Sequence, residues 1–220
     1  EKYGFQKAYG SYEALLQNPE VELVYIATPH SHHYEHMMLC LEHGKHVISE
    51  IPTVNTIEEA KMLKKAAKAH PDLKFMVGEN CCFWAFIETW KKMYEDGKLG
   101  QAVYAEAEYL HAGDVINNKP KQYTGSAWRK SYDAIKYITH DLGPLLYIMN
   151  DRCVSVTCME PDVRYNPYKT GAETGVALFK TAKGAVIRLL VSFGAYTSYD
   201  HNYRICGTRG TIETDRSKVV

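Results

Sequence analysis

Six histidines, His30, His32, His33, His36, His43 and His46, crowd one short stretch of the chain. Imidazole is a common metal ligand, so such a stretch raises metal binding first. His32 and His36 are four apart and share one face of a helix, but most of the others point away from one another around it, and no metal site is expected. Two neighbouring turns suit a different task. Ala27-Thr28-Pro29, continuing into His30, and Glu50-Ile51-Pro52 each follow a short apolar run. In open parallel sheets ligands lie beyond the carboxyl ends of the strands, so both turns are candidate walls for a cofactor. Further along, Trp128 beside Arg129 sets a stacking ring next to a guanidinium, a pairing apt for a nucleotide or a sugar. The 17 tyrosines fit the handling of polyhydroxylated ligands as well as they fit an aromatic core.

The elements that must position these residues are legible as patterns. Leu23 to Ala27 reads as a strand buried on both faces, His46 to Ser49 as a second strand, and the segment between them as a helix with Tyr34, Met37, Met38 and Leu41 on one apolar face and Gly44 as its stop. A short helix capped by Ser11 precedes this βαβ unit. Thr56 and Glu59 form a capping box that opens a helix with Ile57, Ala60, Leu63 and Ala67 on one face, and the strand Lys74–Gly78 follows, ending at Glu79-Asn80. This alternation is the signature of a doubly wound α/β sheet. After a helix near 83–96 the rhythm changes. Ala102–His111 reads as a half-exposed strand, followed by strands at 153–159, 175–181 and 185–193, with the last two joined as a hairpin, and by a hairpin around Thr208-Arg209-Gly210. Residues 1–81 are expected to be part of a Rossmann domain, and 82–220 a C-terminally incomplete α+β domain with an open, mainly antiparallel sheet for substrate and subunit contacts.

Composition narrows the classes. The chain balances 26 basic against 26 acidic residues and is 45% hydrophobic and 24% charged, the ordinary profile of a soluble globular protein. With no basic block, neither nucleic acid nor an anionic membrane surface is indicated, and no apolar run reaches the length of a bilayer span. Six cysteines without a Cys-x-x-Cys pair read as reduced thiols in a cytoplasmic protein. The chain opens without Met, which leaves an N-terminal segment, an export signal included, open.

The ordered set Ala27-Thr28-Pro29 to His33, Gly44-Lys45-His46-Val47, Glu50-x-Pro52, Trp128-Arg129 and Gly207-Thr208-Arg209-Gly210-Thr211-Ile212 resembles the Gfo/Idh/MocA oxidoreductase family over nearly the whole chain. The resemblance implies a Rossmann domain and an α/β domain with an open sheet, bound NAD, with NADP left open, and chemistry on a sugar or cyclitol. It places His33 near the cofactor and implies dimers or tetramers formed through sheet faces. Members carry a Gly-x-Gly-x-x-Gly loop upstream of the position of Glu1, so the chain reads as an incomplete member. Dehydrogenases of the family have Glu-Lys-Pro where this chain has Glu50-Ile51-Pro52, and a histidine where it has Leu145. Tyr137-x-x-His140 before Leu142-Gly143-Pro144, with Glu79-Asn80-Cys81, looks instead like the NAD-dependent glycoside hydrolases similar to α-N-acetylgalactosaminidases, although that branch usually has Gly where Asp141 stands.

That branch implies oxidation at C3 of the sugar, loss of the acidified C2 proton, departure of the aglycone, addition of water and return of the hydride, with no net use of cofactor. The route needs a base that titrates near neutrality, which points to His140, with Tyr137 as relay or oxyanion partner and Asp141 orienting the imidazole or replacing the dehydrogenases' Asp. Glu79 and Asn80 would contact sugar or cofactor. The plain alternative for His140 is a helix cap. A sugar or cyclitol dehydrogenase and a non-catalytic NAD-binding regulator are the other functions weighed.

Overall fold

The computed structural model describes residues 3–116, 119–123, 128–196 and 200–215. The chain divides into two compact units, Glu1–Gly78 and Glu79–Val220.

The first unit begins with helix α1 (Tyr12–Leu16), whose cap Ser11 accepts from the Ala14 amide at 3.2 Å. Strand β1 (Leu23–Ile26), helix α2 (His33–Glu42) and strand β2 (His46–Ser49) form the expected βαβ unit, and helix α3 (Ile57–Ala69) leads into β3 (Phe75–Val77). The three strands are parallel in the order β1-β2-β3. Gly44 sits at φ 68 and ends α2, since a left-handed backbone there costs Gly nothing. The capping box of Thr56 and Glu59 opens α3 with both reciprocal bonds in place. Met37, Cys40, Leu41, Val47 and Leu63 make the core of this unit.

The second unit holds helix α4 (Ala85–Glu95), strand β4 (Ala102–Leu110), the two-residue strands β5 (Val115–Ile116) and β6 (Lys119–Pro120), helix α5 (Thr139–Met149), and strands β7 (Cys153–Met159), β8 (Thr174–Thr181), β9 (Val186–Ser192), β10 (Asp200–Gly207) and β11 (Thr211–Glu213). Six strands make one sheet ordered β11-β10-β4-β9-β8-β7, antiparallel except for the β4–β9 pair. Ala105, Ala107, Ala177, Ile187, Leu189 and Ile205 face α4 and α5, which contribute Ile87, Trp90, Leu145, Ile148 and Met149 to a single core. Burying each large side chain there contributes ~1.5–3 kcal/mol. Small residues on β4 and β8 let the helices approach the sheet closely.

Four expectations need correction. β1 is not buried on both faces: Leu23 and Tyr25 are half exposed, because β1 is the edge of its sheet and nothing among the described residues covers that side. On α2 the fully buried residues are His33, Met37, Cys40 and Leu41, so the buried face reaches beyond the expected stripe, while Tyr34 and Met38 pack half-buried against the same core. On α3 only Leu63 is buried, and Ile57 is 70% exposed at the solvent end of the first turn. β4 is more deeply set than a half-exposed strand. Glu106 is only 6% exposed on the outer sheet face, where Arg188 at 3.2 Å and Arg204 at 3.1 Å compensate its charge. Among the described residues no helix is long and apolar enough to cross a membrane, and the six cysteines are free.

Candidate active site

The site is built where the start of α5 meets the inner face of the sheet. α5 carries Pro144 in its interior, so the amide that would bond the carbonyl of His140 is missing. The Tyr203 hydroxyl from β10 donates to that carbonyl instead, at 2.7 Å. Gly143 has a second effect: a Cβ there would lie 3.1 Å from Glu79 Cγ and 3.3 Å from Cys82 Sγ, so the bare backbone lets the Glu79 segment press against the helix. Glu79 caps the 3₁₀ turn Asn80–Phe83 by accepting from the Cys81 amide at 3.1 Å. The same carboxylate oxygen lies 2.8 Å from His140 Nδ1.

Burial pushes the Glu79 carboxyl up, but the hydrogen bond and charge of His140, with help from Thr139 and the Cys81 amide, outweigh it and hold the group below its ordinary value. Glu79 is therefore held as a carboxylate, an acceptor that favours a proton on the His140 Nδ1 facing it. Cys81 Sγ stands 3.3 Å from the same Nδ1, as a thiol whose pKa burial raises. Glu79, Cys81 and His140 offer ligand atoms within 4.8 Å of one another, the one such grouping among the described residues. The histidine-rich stretch forms none: His43 Nδ1 sits on the Leu39 carbonyl, His46 Nδ1 accepts from the Lys74 amide, and His36 Nδ1 meets the Thr28 hydroxyl.

Asp141 does not orient His140. Its Oδ1 lies 3.3 Å from Nδ1 of His201 on β10, and both groups are buried. Burial raises the Asp141 pKa well above the ordinary carboxylate range. Burial, and then the charge of His140, lowers His201 to about 4. His201 stacks on Tyr109, its β4 neighbour in register, with centroids 4.1 Å apart and planes at 16°. Tyr109 in turn meets the His140 ring edge-on at 5.5 Å.

Tyr137 lies just before α5, its ring 6.1 Å from that of His140. Arg129 donates to the Tyr137 hydroxyl at 3.4 Å and stacks on Trp128 at 4.4 Å. Tyr109, Tyr137, Arg129 and Phe193 share the wall of a pocket of about 370 Å³. In the first unit the two turns are tied together. Both ring nitrogens of buried His33 sit 2.8 Å from a carbonyl, of Thr28 and of Pro52. Ala27 and Pro29 flank Thr28, the carbonyl of His30 accepts from Asn55, and the Glu50 carboxylate accepts from the Tyr25 hydroxyl.

The structure thus brings together His140, Tyr137, Asp141 and Glu79, with Arg129 in the pocket wall and Trp128 stacked on it, and keeps Asn80 as an exposed turn residue. His140 does not cap its helix; Ile138 stands at that position without a side-chain bond. Sequence reasoning missed His201, Tyr109 and Tyr203. Their only signal is alternation along two strands, which fixes a face and not a partner.

Residues 1–79 match the oxidoreductase family with the NAD-binding Rossmann fold, and residues 87–213 match the GFO/IDH/MocA C-terminal domain. The chain is similar to glycosyl hydrolase family 109 protein 3 of Phocaeicola vulgatus, at 27% identity over 90% of this chain and 41% of that protein. It is similar to an alpha-N-acetylgalactosaminidase of Bacteroides fragilis, at 28% identity over 90% of this chain and 53% of that protein. The chain thus spans about half the length of the curated relatives it matches. Among solved structures, an NAD binding oxidoreductase from Klebsiella pneumoniae superposes with a TM-score of 0.83 at 23% identity, over 97% of this chain and 59% of that one. An inositol dehydrogenase homolog from Azotobacter vinelandii, complexed with NADH and myo-inositol, gives 0.76 at 24%, over 92% and 53%. By both halves of its sequence and by its fold, the chain belongs to the Gfo/Idh/MocA oxidoreductase family.

Proposed function

We propose that this chain carries the base and part of the cofactor wall of an NAD-dependent glycoside hydrolase that works by transient oxidation and elimination. The observation that carries this is the Glu79–His140 pair, in which an ionised carboxylate fixes the tautomer that leaves Nε2 basic. The named glycosidase relatives support the reaction class. Ile51 adds to it: a buried aliphatic side chain stands where the family's dehydrogenases place the lysine that polarises a carbinol.

The turns of the first unit fit a dinucleotide. His33 ties Thr28 to Pro52, giving a firm edge at the carboxyl ends of β1 and β2. Beside it, Gly78 leaves bare a spot where a Cβ would come within 3.0 Å of the Ser49 carbonyl. Ala27, Thr28, Pro29, His30, His33, Glu50 and Pro52 would line it. NAD, with NADP left open, supplies a hydride acceptor that returns the hydride at the end of the cycle.

His140 Nε2 would take the carbinol proton as the hydride leaves C3, release it to solvent, and then take the C2 proton made acidic by the neighbouring ketone, handing that proton to the aglycone oxygen as the C1–O bond breaks. Tyr137, with the Arg129 guanidinium on its hydroxyl, donates to the oxygen on which negative charge develops. Trp128 holds Arg129 in place by stacking. Asp141, paired with His201, stiffens the floor under the His140 ring rather than moving a proton. We further propose that the protein is a homo-oligomer, a dimer or tetramer, formed through the outer sheet face, where Val176, Leu178 and Met159 are exposed, and that it acts in the cytoplasm with a small-molecule glycoside as its partner.

Full-length protein incubated with p-nitrophenyl α- and β-glycosides should release nitrophenol without net NADH accumulation, and His140→Asn should abolish release while NAD binding persists. NADH build-up from free sugars without aglycone release would make it a dehydrogenase. Silence of both signals would point to a regulator.

A further inference from the structure

We infer that Glu79, Cys81 and His140 form a binding site for one divalent ion of the zinc class, and that this ion switches off the proposed base by claiming His140 Nδ1. The binding stands on its own geometry, whereas the switch rests on the glycosidase reading above. The three residues offer a carboxylate oxygen, a thiol sulfur and an imidazole nitrogen within 4.8 Å of one another. Zinc accepts all three ligand types in one site, while Mg²⁺ and Ca²⁺ take oxygen and gain little from sulfur.

The spacing is close to that of a filled site. His140 Nδ1 lies 2.8 Å from Glu79 Oε1 and 3.3 Å from Cys81 Sγ. Metal bonds of ~2.0–2.3 Å at tetrahedral angles hold such atoms ~3.3–3.6 Å apart, so the contacts need open by only about half an ångström. The backbone beneath them is held in place. The Cys81 amide donates to Glu79 Oε1 at 3.1 Å, and Tyr203 anchors the His140 carbonyl at 2.7 Å. Glu79 Oε2 is buried and, among the described residues, makes no hydrogen bond of ordinary geometry, so the carboxylate has lone pairs left for an ion. Glu79 and Cys81 are only 8% and 1% exposed, where an unpaired dication would be costly. A carboxylate and a thiolate neutralise it, and the imidazole with one water completes four-coordination.

Binding moves protons and no electrons. The Cys81 S–H bond breaks, the sulfur bonds the ion, and that proton leaves to solvent. Nδ1 exchanges its proton for the metal bond. Because a neutral imidazole carries one N–H, the ring takes a proton on Nε2 instead, and the net release is about one proton per ion. Nε2 is then a donor with no lone pair for the sugar's proton.

Calorimetry separates the site from the activity. Full-length NAD-loaded protein, freed of metal by a chelator, is titrated with ZnCl₂ in buffers of different ionisation enthalpy, and should show one saturable site releasing about one proton per ion. CoCl₂ should give a sulfur-to-cobalt charge-transfer band. In Cys81→Ser the band should vanish, and in Cys81→Ser and Glu79→Gln the zinc affinity should fall roughly tenfold or more. Nitrophenol release should be inhibited over the same range of ZnCl₂, each variant read against its own metal-free rate, and MgCl₂ should have no effect. Absence of a saturable site, a band that persists in Cys81→Ser, or zinc affinity indifferent to both substitutions would overturn the site. Zinc bound there with turnover unimpaired would overturn the switch. A protein that shows the band and the proton release but hydrolyses no glycoside keeps the site and loses the glycosidase reading; turnover without a zinc site does the reverse.

Discussion

The Tyr203 hydroxyl donates to the main-chain carbonyl of His140 at 2.7 Å, filling the acceptor that Pro144 leaves open one turn further along α5. A proline placed there would ordinarily expose a buried carbonyl. Here it creates a fixed anchor for the residue proposed as base.

Tyr203→Phe removes that donor without changing the ring. The orphaned carbonyl should cost ~1–3 kcal/mol in urea unfolding. Because His140 loses its anchor, kcat should fall while KM for the glycoside changes little. A stability loss with kcat unchanged would make the contact purely structural.

Glu79→Gln keeps the shape and removes the charge that sets the tautomer. We expect kcat to drop by ~10²-fold or more, with the acid limb of its pH profile displaced. Unaltered kcat and pH profile would show that the Glu79–His140 contact of 2.8 Å does not poise the base.

Gly143→Ala is the steric counterpart. The new methyl group would meet Glu79 Cγ at 3.1 Å and drive the carboxylate off His140. Alanine favours helix, so the helix itself should hold, whereas kcat should fall ~10–100-fold. Thermal unfolding and steady-state kinetics on the same sample would separate the two effects.

The Asp141–His201 pair should leave a signature in stability against pH. Burial raises Asp141 well above its ordinary 3.8, so its contribution to stability is present below 3.8 and is lost as pH rises toward its folded value. Burial, and then the charge of His140, lowers His201 to about 4, so its contribution is present above 6.5 and is lost as pH falls toward about 4. In Asp141→Asn only the His201 part remains, and stability should rise more steeply with pH between 4.5 and 6.5 than in the unsubstituted protein. Urea unfolding of both proteins across pH 4.5 to 8 checks this; parallel curves would refute the opposed titrations of the pair.

Added Zn²⁺ should inhibit, because Glu79, Cys81 and His140 can close on one ion with ligand atoms already within 4.8 Å. Cys81→Ser should raise the inhibitory concentration. Inhibition indifferent to that change would place the ion elsewhere.

Local physics made much of this protein legible as sequence. The capping box at Thr56, the left-handed stop at Gly44, the period-two strands from 153 onward and the helical periods between Leu23 and Gly78 each depend on neighbours a few residues apart. The family motifs also named His140, Tyr137 and Glu79. What periodicity could not weigh was coverage: β1 and α3 carry the right pattern but lie at the margin of their unit, so Tyr25 and Ile57 stay in water.

Only the tertiary structure assigned the partners. Glu79 and His140 are 61 residues apart, Asp141 and His201 60, and His140 and Tyr203 63. No short-range rule connects them. They meet because the small residues of β4 let α5 settle onto the sheet beside β10, and because Gly143 leaves room for Glu79. Thus Asp141, beside His140 in sequence, turns to His201 under the helix, since adjacent helical residues point about a hundred degrees apart. The sequence determined which side chains could do the chemistry, and packing decided which of them touch.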